Sequence, residues 1–202
     1  MAYPEFRRDI VNLLDNIEHG SGRINRFVSN LKEFSQVKEK VEERWFEVTP
    51  LIERVLSICN VQLNKNVKSF VTNIPENLPR IWSDPFFLEQ ILLNLLINAA
   101  QAVDKNDSRI DLNVEIRPSW LDHAILEVKD NGIGMDEKTV QEIFNPFFTT
   151  KSGTGGTGLG LYVSHNLVQS LGGRIEVESE SGNGSTFRVI LPDKERRSRK
   201  RP

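Results

Sequence analysis

Within "EQILLNLLINAAQAV" (Glu89–Val103), an otherwise apolar helical pattern carries Asn94 and Asn98 one turn apart. A buried amide without a partner costs about 1–3 kcal/mol, so two of them need a physical reason. Gln90, Asn94, Asn98 and Gln101 fall at i, i+4, i+8 and i+11, a single polar stripe on an apolar cylinder. One asparagine often bonds neighbouring backbone, but four aligned amides point to a bound polar ligand. The amide carbonyl is an oxygen donor suited to a hard cation such as Mg²⁺, which commonly bridges phosphates.

A second candidate is "DNGIGM" (Asp130–Met135), directly after a strand pattern. Asp-Asn-Gly alone is an ordinary turn. Here Gly134 follows, so the backbone can bend tightly and approach a flat ligand, while the Asp130 carboxylate can accept from an exocyclic amine. The third is "KSGTGGTGLGL" (Lys151–Leu161), glycine-rich and running into a helix, where successive backbone amides make an anion site. It contains two decoys. Gly153, Gly155 and Gly158 match G-x-G-x-x-G and Glu178 lies twenty residues beyond Gly158, imitating a dinucleotide fingerprint, but that motif should open an early βαβ unit. Nor is it a P-loop, because no Lys-Ser/Thr pair follows the glycines.

Those residues need a scaffold, and the chain supplies one. "TPLIERVLSICNVQL" reads as a helix with Thr49 as N-cap and Pro50 at its first position, and "NVKSFVTNIP" as a strand. Ser83 or Asp84 caps the asparagine helix, with Pro85 just inside. "RIDLNVEIR" sets Ile110, Leu112, Val114 and Ile116 on one face and pairs antiparallel with "HAILEVKD". A helix near 157–171 and a terminal hairpin, "GRIEVESE" and "STFRVILP" joined at "SGNG", complete an α+β, two-layer sandwich of a mixed sheet against helices. Before it, Phe6, Ile10, Leu13, Ile17, Gly20, Ile24, Phe27, Leu31 and Phe34 are spaced 4-3-4-3, a heptad stripe that needs a helical partner, most simply a second copy. "QVKEKVEER" reads as a linker.

Composition is that of an ordinary globular protein: 202 residues, 27% charged, 38% hydrophobic. No apolar run approaches the roughly 20 residues of a membrane span, and the start has no signal-peptide core. The single Cys59 cannot form an intrachain disulfide and lies on an apolar stripe, which fits core packing in a reducing cytoplasm. Residues 193–202 hold six Lys/Arg against Asp193 and Glu195, so this +4 tail leaves −6 on residues 1–192. The tail reads as a solvated, disordered end, and without aromatic support it is not expected to bind nucleic acid.

"LLNLLINAA", "DNGIGM", "IFNPFFTTK" and "GTGLGL", in this order, resemble the N, G1, F and G2 boxes of sensor histidine kinases in two-component signalling. "GNGSTFRVILP" is similar to that family's last strand, and "RINRFVSNLKEFSQ" to the second helix of its dimerisation and phosphotransfer hairpin. The resemblance implies a Bergerat-type ATP-binding domain over 41–192, the dimerisation helix and linker over 1–40, and the tail over 193–202. It implies that Asn98 ligates Mg²⁺ with Asn94 beside it toward the phosphates, and that Asp130 binds the adenine amine on a wall shaped by Gly132, Gly134 and Met135. Phe144, Phe147 and Phe148 would anchor a mobile lid, Lys151 would reach the terminal phosphates, and Thr149 and Thr150 would join the nucleotide-binding residues. Gly156, Thr157, Gly158, Leu159 and Gly160 would cradle the phosphate chain. Asn145 stands where the family commonly has Glu, and Thr154 where it commonly has Gly.

Related ATPases carry Glu at the position of Asn94 as general base for water; an amide cannot take a proton, so the pattern implies a kinase with feeble hydrolysis. The family's acceptor histidine is usually followed by an acidic residue and later a proline. His19, His123 and His165 lack that setting, so the chain is expected to be the ATP-binding part of a longer, cytoplasmic or membrane-anchored kinase whose acceptor helix lies elsewhere. ATP or ADP, a response-regulator receiver domain and a homodimer partner are the implied contacts. A serine-directed kinase of the anti-sigma type and a nucleotide-binding regulatory module are the alternatives.

Overall fold

The computed structural model of the chain describes residues 41–76, 78–103, 107–116, 124–151 and 156–192. The heptad-patterned stretch expected as a helix, His19, His123, Gly153–Gly155 and the basic tail lie outside the described residues. The elements are β1 (Arg44–Phe46), α1 (Val48–Asn66), β2 (Ser69–Asn73), β3 (Ile81–Ser83), α2 (Pro85–Ala102), β4 (Arg109–Ile116), β5 (Ala124–Asp130), α3 (Glu137–Glu142), α4 (Gly160–Ser170), β6 (Arg174–Glu180) and β7 (Gly184–Leu191).

Five strands form a mixed sheet of order β2-β4-β5-β7-β6, parallel only between β2 and β4. The alternation along "RIDLNVEI" becomes a buried row, Ile110, Leu112 and Val114, opposite Asp130, Val128 and Leu126 of β5. The next strand continues it with Ser185, Phe187 and Val189. Helix α2 lies against β5 and β7, flanked by α1 and α4, so the helices and this face of the sheet share one core. The opposite face is largely polar, with Ile125 and Ile190 paired on it. There Arg188 donates to Glu127 at 2.6 Å and to Glu178 at 2.6 Å, and these carboxylates hold its guanidinium above the ordinary arginine range. Glu178, the decoy acid, is thus bound to a strand neighbour on the sheet's outer side.

Helix α2 begins where its sequence predicts. Asp84 Oδ1 accepts from Phe86 N at 2.9 Å and Phe87 N at 3.2 Å, with Pro85 at the first helical position, where no N–H partner is needed. Its other oxygen accepts from Glu42 N at 2.7 Å, tying the segment before β1 to the helix start. Eight apolar side chains of α2, from Phe87 to Ala100, are buried.

Helix α1 differs from expectation at its start. The N-cap is Glu47 rather than Thr49, and Pro50 sits within the first turn, at the third helical position. Burial of Val48, 1% exposed, draws the chain into the helix early, and Pro50 still falls among the first four N–H groups that have no intrahelical acceptor. Helix α4 starts at Gly160, not 157, because Gly158 takes a left-handed φ of 68° that no right-handed helix accommodates. The ribbon of β1 with β3 and the short α3 had no expectation; the ribbon is closed by Trp45 against Trp82, rings edge to face at 5.8 Å.

Asp84→Ala removes both cap bonds and the anchor of Glu42, and is expected to cost about 1–2 kcal/mol of stability in urea unfolding. An unchanged midpoint would show that the cap contributes nothing here.

Candidate functional site

The C-terminal half of α2, the loop after β5, the segment after α3 and the start of α4 enclose a cavity of about 400 Å³, a size suited to a small-molecule ligand. Asn94, Asn98 and Gln101 line it from α2. Gln90 does not, so the amide stripe turns into the cavity over its last three members only. Asn94 also serves the fold: its Nδ2 donates to the Gly160 carbonyl and to Ser164 Oγ, each at 3.3 Å.

The loop after β5 is held from several sides. Asp130, 3% exposed, accepts from Gly132 N at 2.8 Å through Oδ1 and lines the cavity at the end of its strand. Asn131 accepts from Arg109 N at 2.7 Å and donates to the Asp107 carbonyl at 2.9 Å, fixing the turn to β4. Ile133 N donates to the Ala102 carbonyl at 3.0 Å, and Met135 N to Ser179 Oγ at 2.9 Å. Gly132 stands behind the wall: a Cβ there would lie 2.3 Å from the Ala102 carbonyl oxygen. Gly134 lines the cavity with φ of 63°, and a Cβ on it would meet the Glu180 carbonyl at 1.9 Å. Glycine at both positions therefore follows from close backbone approach.

The opposite wall is the segment Ile143–Lys151 with the glycines before α4. Phe148, Thr149, Thr150, Lys151, Gly156, Thr157, Gly158, Leu159 and Gly160 all line the cavity, as does Met135. Phe144 does not; its ring packs on the core and on the His165 ring at 4.9 Å. Phe147 departs from the expected anchoring role, since the residue is 57% exposed. Its backbone is the distinctive part: φ is 67°, an outlier for an aromatic residue, and its N–H donates to the Gly158 carbonyl at 2.9 Å. A Cβ on Gly158 would sit 2.4 Å from the Phe147 carbonyl carbon, so the two left-handed residues fit only as a pair.

Lys151 N donates to Thr149 Oγ1 at 3.0 Å, and Gly156 N returns to the Lys151 carbonyl at 3.1 Å, closing the loop on itself. Burial pushes the Lys151 ammonium below the usual lysine range, and the carboxylate of Asp130 partly offsets this. A cation from one wall and a buried carboxylate from the other thus face a single space. Together with the amides of α2 and the N-terminal end of α4, they offer an acceptor for an amine, donors for anions and oxygens for a cation.

Ser185 and Phe187 of β7, Ile133, Thr139 and Gln62 of α1 also line the cavity and carry no sequence signal of their own. Ser185 follows from register, as it lies opposite Asp130. Gly184 is legible only in three dimensions: its φ is 91° and a Cβ would lie 2.1 Å from the Asp130 carbonyl oxygen.

Residues 83–195 match the family model of histidine kinase-, DNA gyrase B- and HSP90-like ATPases, and the chain belongs to this family. Sensor histidine kinase ZraS of Escherichia coli (strain K12) is 36% identical over 170 residues, 84% of this chain and 35% of that protein. Sporulation kinase E of Bacillus subtilis (strain 168) is 34% identical over 145 residues, 72% of this chain and 19% of that one. The chain spans about a third or less of these relatives. The solved catalytic domain of histidine kinase ThkA superposes with a TM-score of 0.63 at 29% identity, covering 75% of this chain and 98% of the other. ThkA in complex with the response regulator protein TrrA gives 0.70 at 26%, covering 100% and 55%. Within the family, the chain has the C-terminal catalytic domain of a sensor histidine kinase.

Two glycines of one turn separate strain from collision. Gly182 has φ of 82° and open space for 4 Å around the position of a Cβ, whereas Gly184 adds the contact with Asp130. Gly182→Ala is expected to cost about 1–2 kcal/mol and Gly184→Ala about 2–4 kcal/mol in denaturant unfolding. Equal costs would remove Gly184 from the set of residues that shape the site.

Proposed function

We propose that the cavity binds Mg²⁺–ATP and that the chain directs the γ-phosphate to a histidine other than His19, His123 and His165, on a separate dimerisation helix. The observation that carries this reading is convergence: three separate motif segments and the amides of α2 meet on one cavity. The residues fit the nucleotide. Asp130 offers a carboxylate to the adenine amine, Gly134 lets the base approach the backbone, and Lys151 with the Gly156–Gly160 backbone meets the phosphates.

They also fit the cation. Among the described residues no three His, Cys, Asp or Glu side chains gather at a metal site, and Mg²⁺ does not require such a cage. It keeps several waters and binds through a few oxygens plus substrate phosphates, for which Asn98 with Asn94 beside it provides the oxygens. When bound, Mg²⁺ neutralises phosphate charge as transfer proceeds. The protein's own part is positioning: α2 holds the amides, α4 turns its N-terminus to the anion, and the segment around Phe148 excludes water.

Asn94 argues for transfer to a protein side chain rather than to water, because an amide cannot accept the proton of an attacking water. His165 is committed to the Phe144 ring and to Gln169, at 3.3 Å, which disfavours it as the acceptor. The ThkA complex with TrrA supports a response-regulator receiver domain as downstream partner, and the heptad spacing of residues 6–36 supports dimerisation through that stretch. No helix of the described residues is long and apolar enough to cross a membrane.

With a separate acceptor-helix hairpin supplied, labelled phosphate from ATP is expected on its histidine, while hydrolysis stays at least a hundredfold below a typical enzyme's ~10 s⁻¹. Labelled serine would favour the anti-sigma type, and fast release of free phosphate would make the chain a hydrolase.

A further inference from the structure

Asn94 divides its amide between the fold and the cavity. Its nitrogen reaches the Gly160 carbonyl and Ser164 Oγ, one turn apart on α4. A carbonyl oxygen can only accept, so the NH₂ edge is the one turned toward α4 and Oδ1 is the edge left for the cavity. Ser164 is 0% exposed, a hydroxyl placed where an apolar side chain would pack at lower cost unless the oxygen is used. Its position four residues after Gly160 stacks both acceptors in one column of the helix, matching the two N–H groups of one amide. A Cβ on Gly160 would lie 3.7 Å from Asn94 Oδ1 and 4.0 Å from Asn98 Nδ2, so both asparagines and the start of α4 border the same small gap.

We infer that Ser164, which does not line the cavity, is a positioning residue for nucleotide binding. Its buried hydroxyl, with the Gly160 carbonyl, holds the Asn94 amide so that Oδ1 faces the cation carried by the phosphates. The inference rests on the Mg²⁺–ATP reading of the cavity. Without Ser164 one N–H of Asn94 loses its acceptor, and the amide can turn a donor toward the cation, where it repels instead of coordinating.

The test is AMPPNP binding with and without Mg²⁺, alongside the Asn94 side-chain amide signals in ¹⁵N NMR, for the unaltered chain, Ser164→Ala and Ser164→Thr. In Ser164→Ala the gain in affinity that Mg²⁺ provides is expected to fall roughly tenfold, the effect typical of losing a partner behind a metal ligand. Mg²⁺-free binding stays the same, the amide signals of Asn94 shift and exchange faster, and Ser164→Thr restores both. An equal loss with and without Mg²⁺ would assign Ser164 a packing role, and unmoved Asn94 signals would overturn the inference. If the unaltered chain binds no nucleotide, the Mg²⁺–ATP reading fails with the inference's second half, while the NMR comparison still decides whether Ser164 orients the amide.

Discussion

Helix α2 has to be apolar enough to sit between a sheet and two helices, yet carry polar groups on the side that meets the cavity. The rest of the domain depends on that compromise. Leu88, Ile91, Leu92, Leu95 and Leu96 are all buried, while Asn94 and Asn98 are half-buried at the boundary, Asn94 bonded to α4. The amides are tolerated there because α4 brings acceptors to Asn94 and the cavity leaves room for the rest. A rotation of α2 by one residue would bury the amides without partners and push a leucine into the ligand space. Asp84 fixes where the helix starts, and Ala102 fixes its far end through the carbonyl that receives Ile133 N.

The sheet supplies the other half of the site by register. Asp130 ends β5 on the same face as Val128, with Ile110 and Ser185 on either side, so a carboxylate emerges where the apolar rows of three strands stop. Beyond it the chain turns on backbone contacts too close for any Cβ, at Gly132, Gly134 and Gly184. The wall that faces α2 is therefore rigid, held by hydrogen bonds to several different elements. The facing wall is different in kind: Phe147 and Gly158 are both left-handed and bonded to each other, and the strain lies on Phe147, an outlier of the sort kept where a conformation is needed.

Much of this was legible in the sequence, for local reasons. The strand pair at 109–130, the capped start of α2 and the terminal hairpin rest on alternation, capping and turn chemistry within a few residues. The asparagine stripe was legible because polar residues at helical spacing interrupt an apolar pattern. Gln90 broke the expectation because a stripe on a helix meets different neighbours along its length, and only its last part reaches the cavity. Gly184 and Ser164 were illegible for a related reason: their roles come from contacts with residues 54 and 70 positions away, Asp130 and Asn94. Phe147 shows the same limit, since its exposure follows from a positive φ that no aromatic residue announces.

The most direct measurement of the central claim is a calorimetric titration of AMPPNP, with Mg²⁺, into the chain and into Asp130→Asn. The substitution keeps the shape of the side chain and the acceptor for Gly132 N but removes the charge and one acceptor edge. If the cavity holds adenine through Asp130, the unaltered chain binds and the variant binds at least about tenfold more weakly, the loss of a hydrogen bond to a charged group. Equal affinities, or no binding by a folded, unaltered chain, would contradict the account.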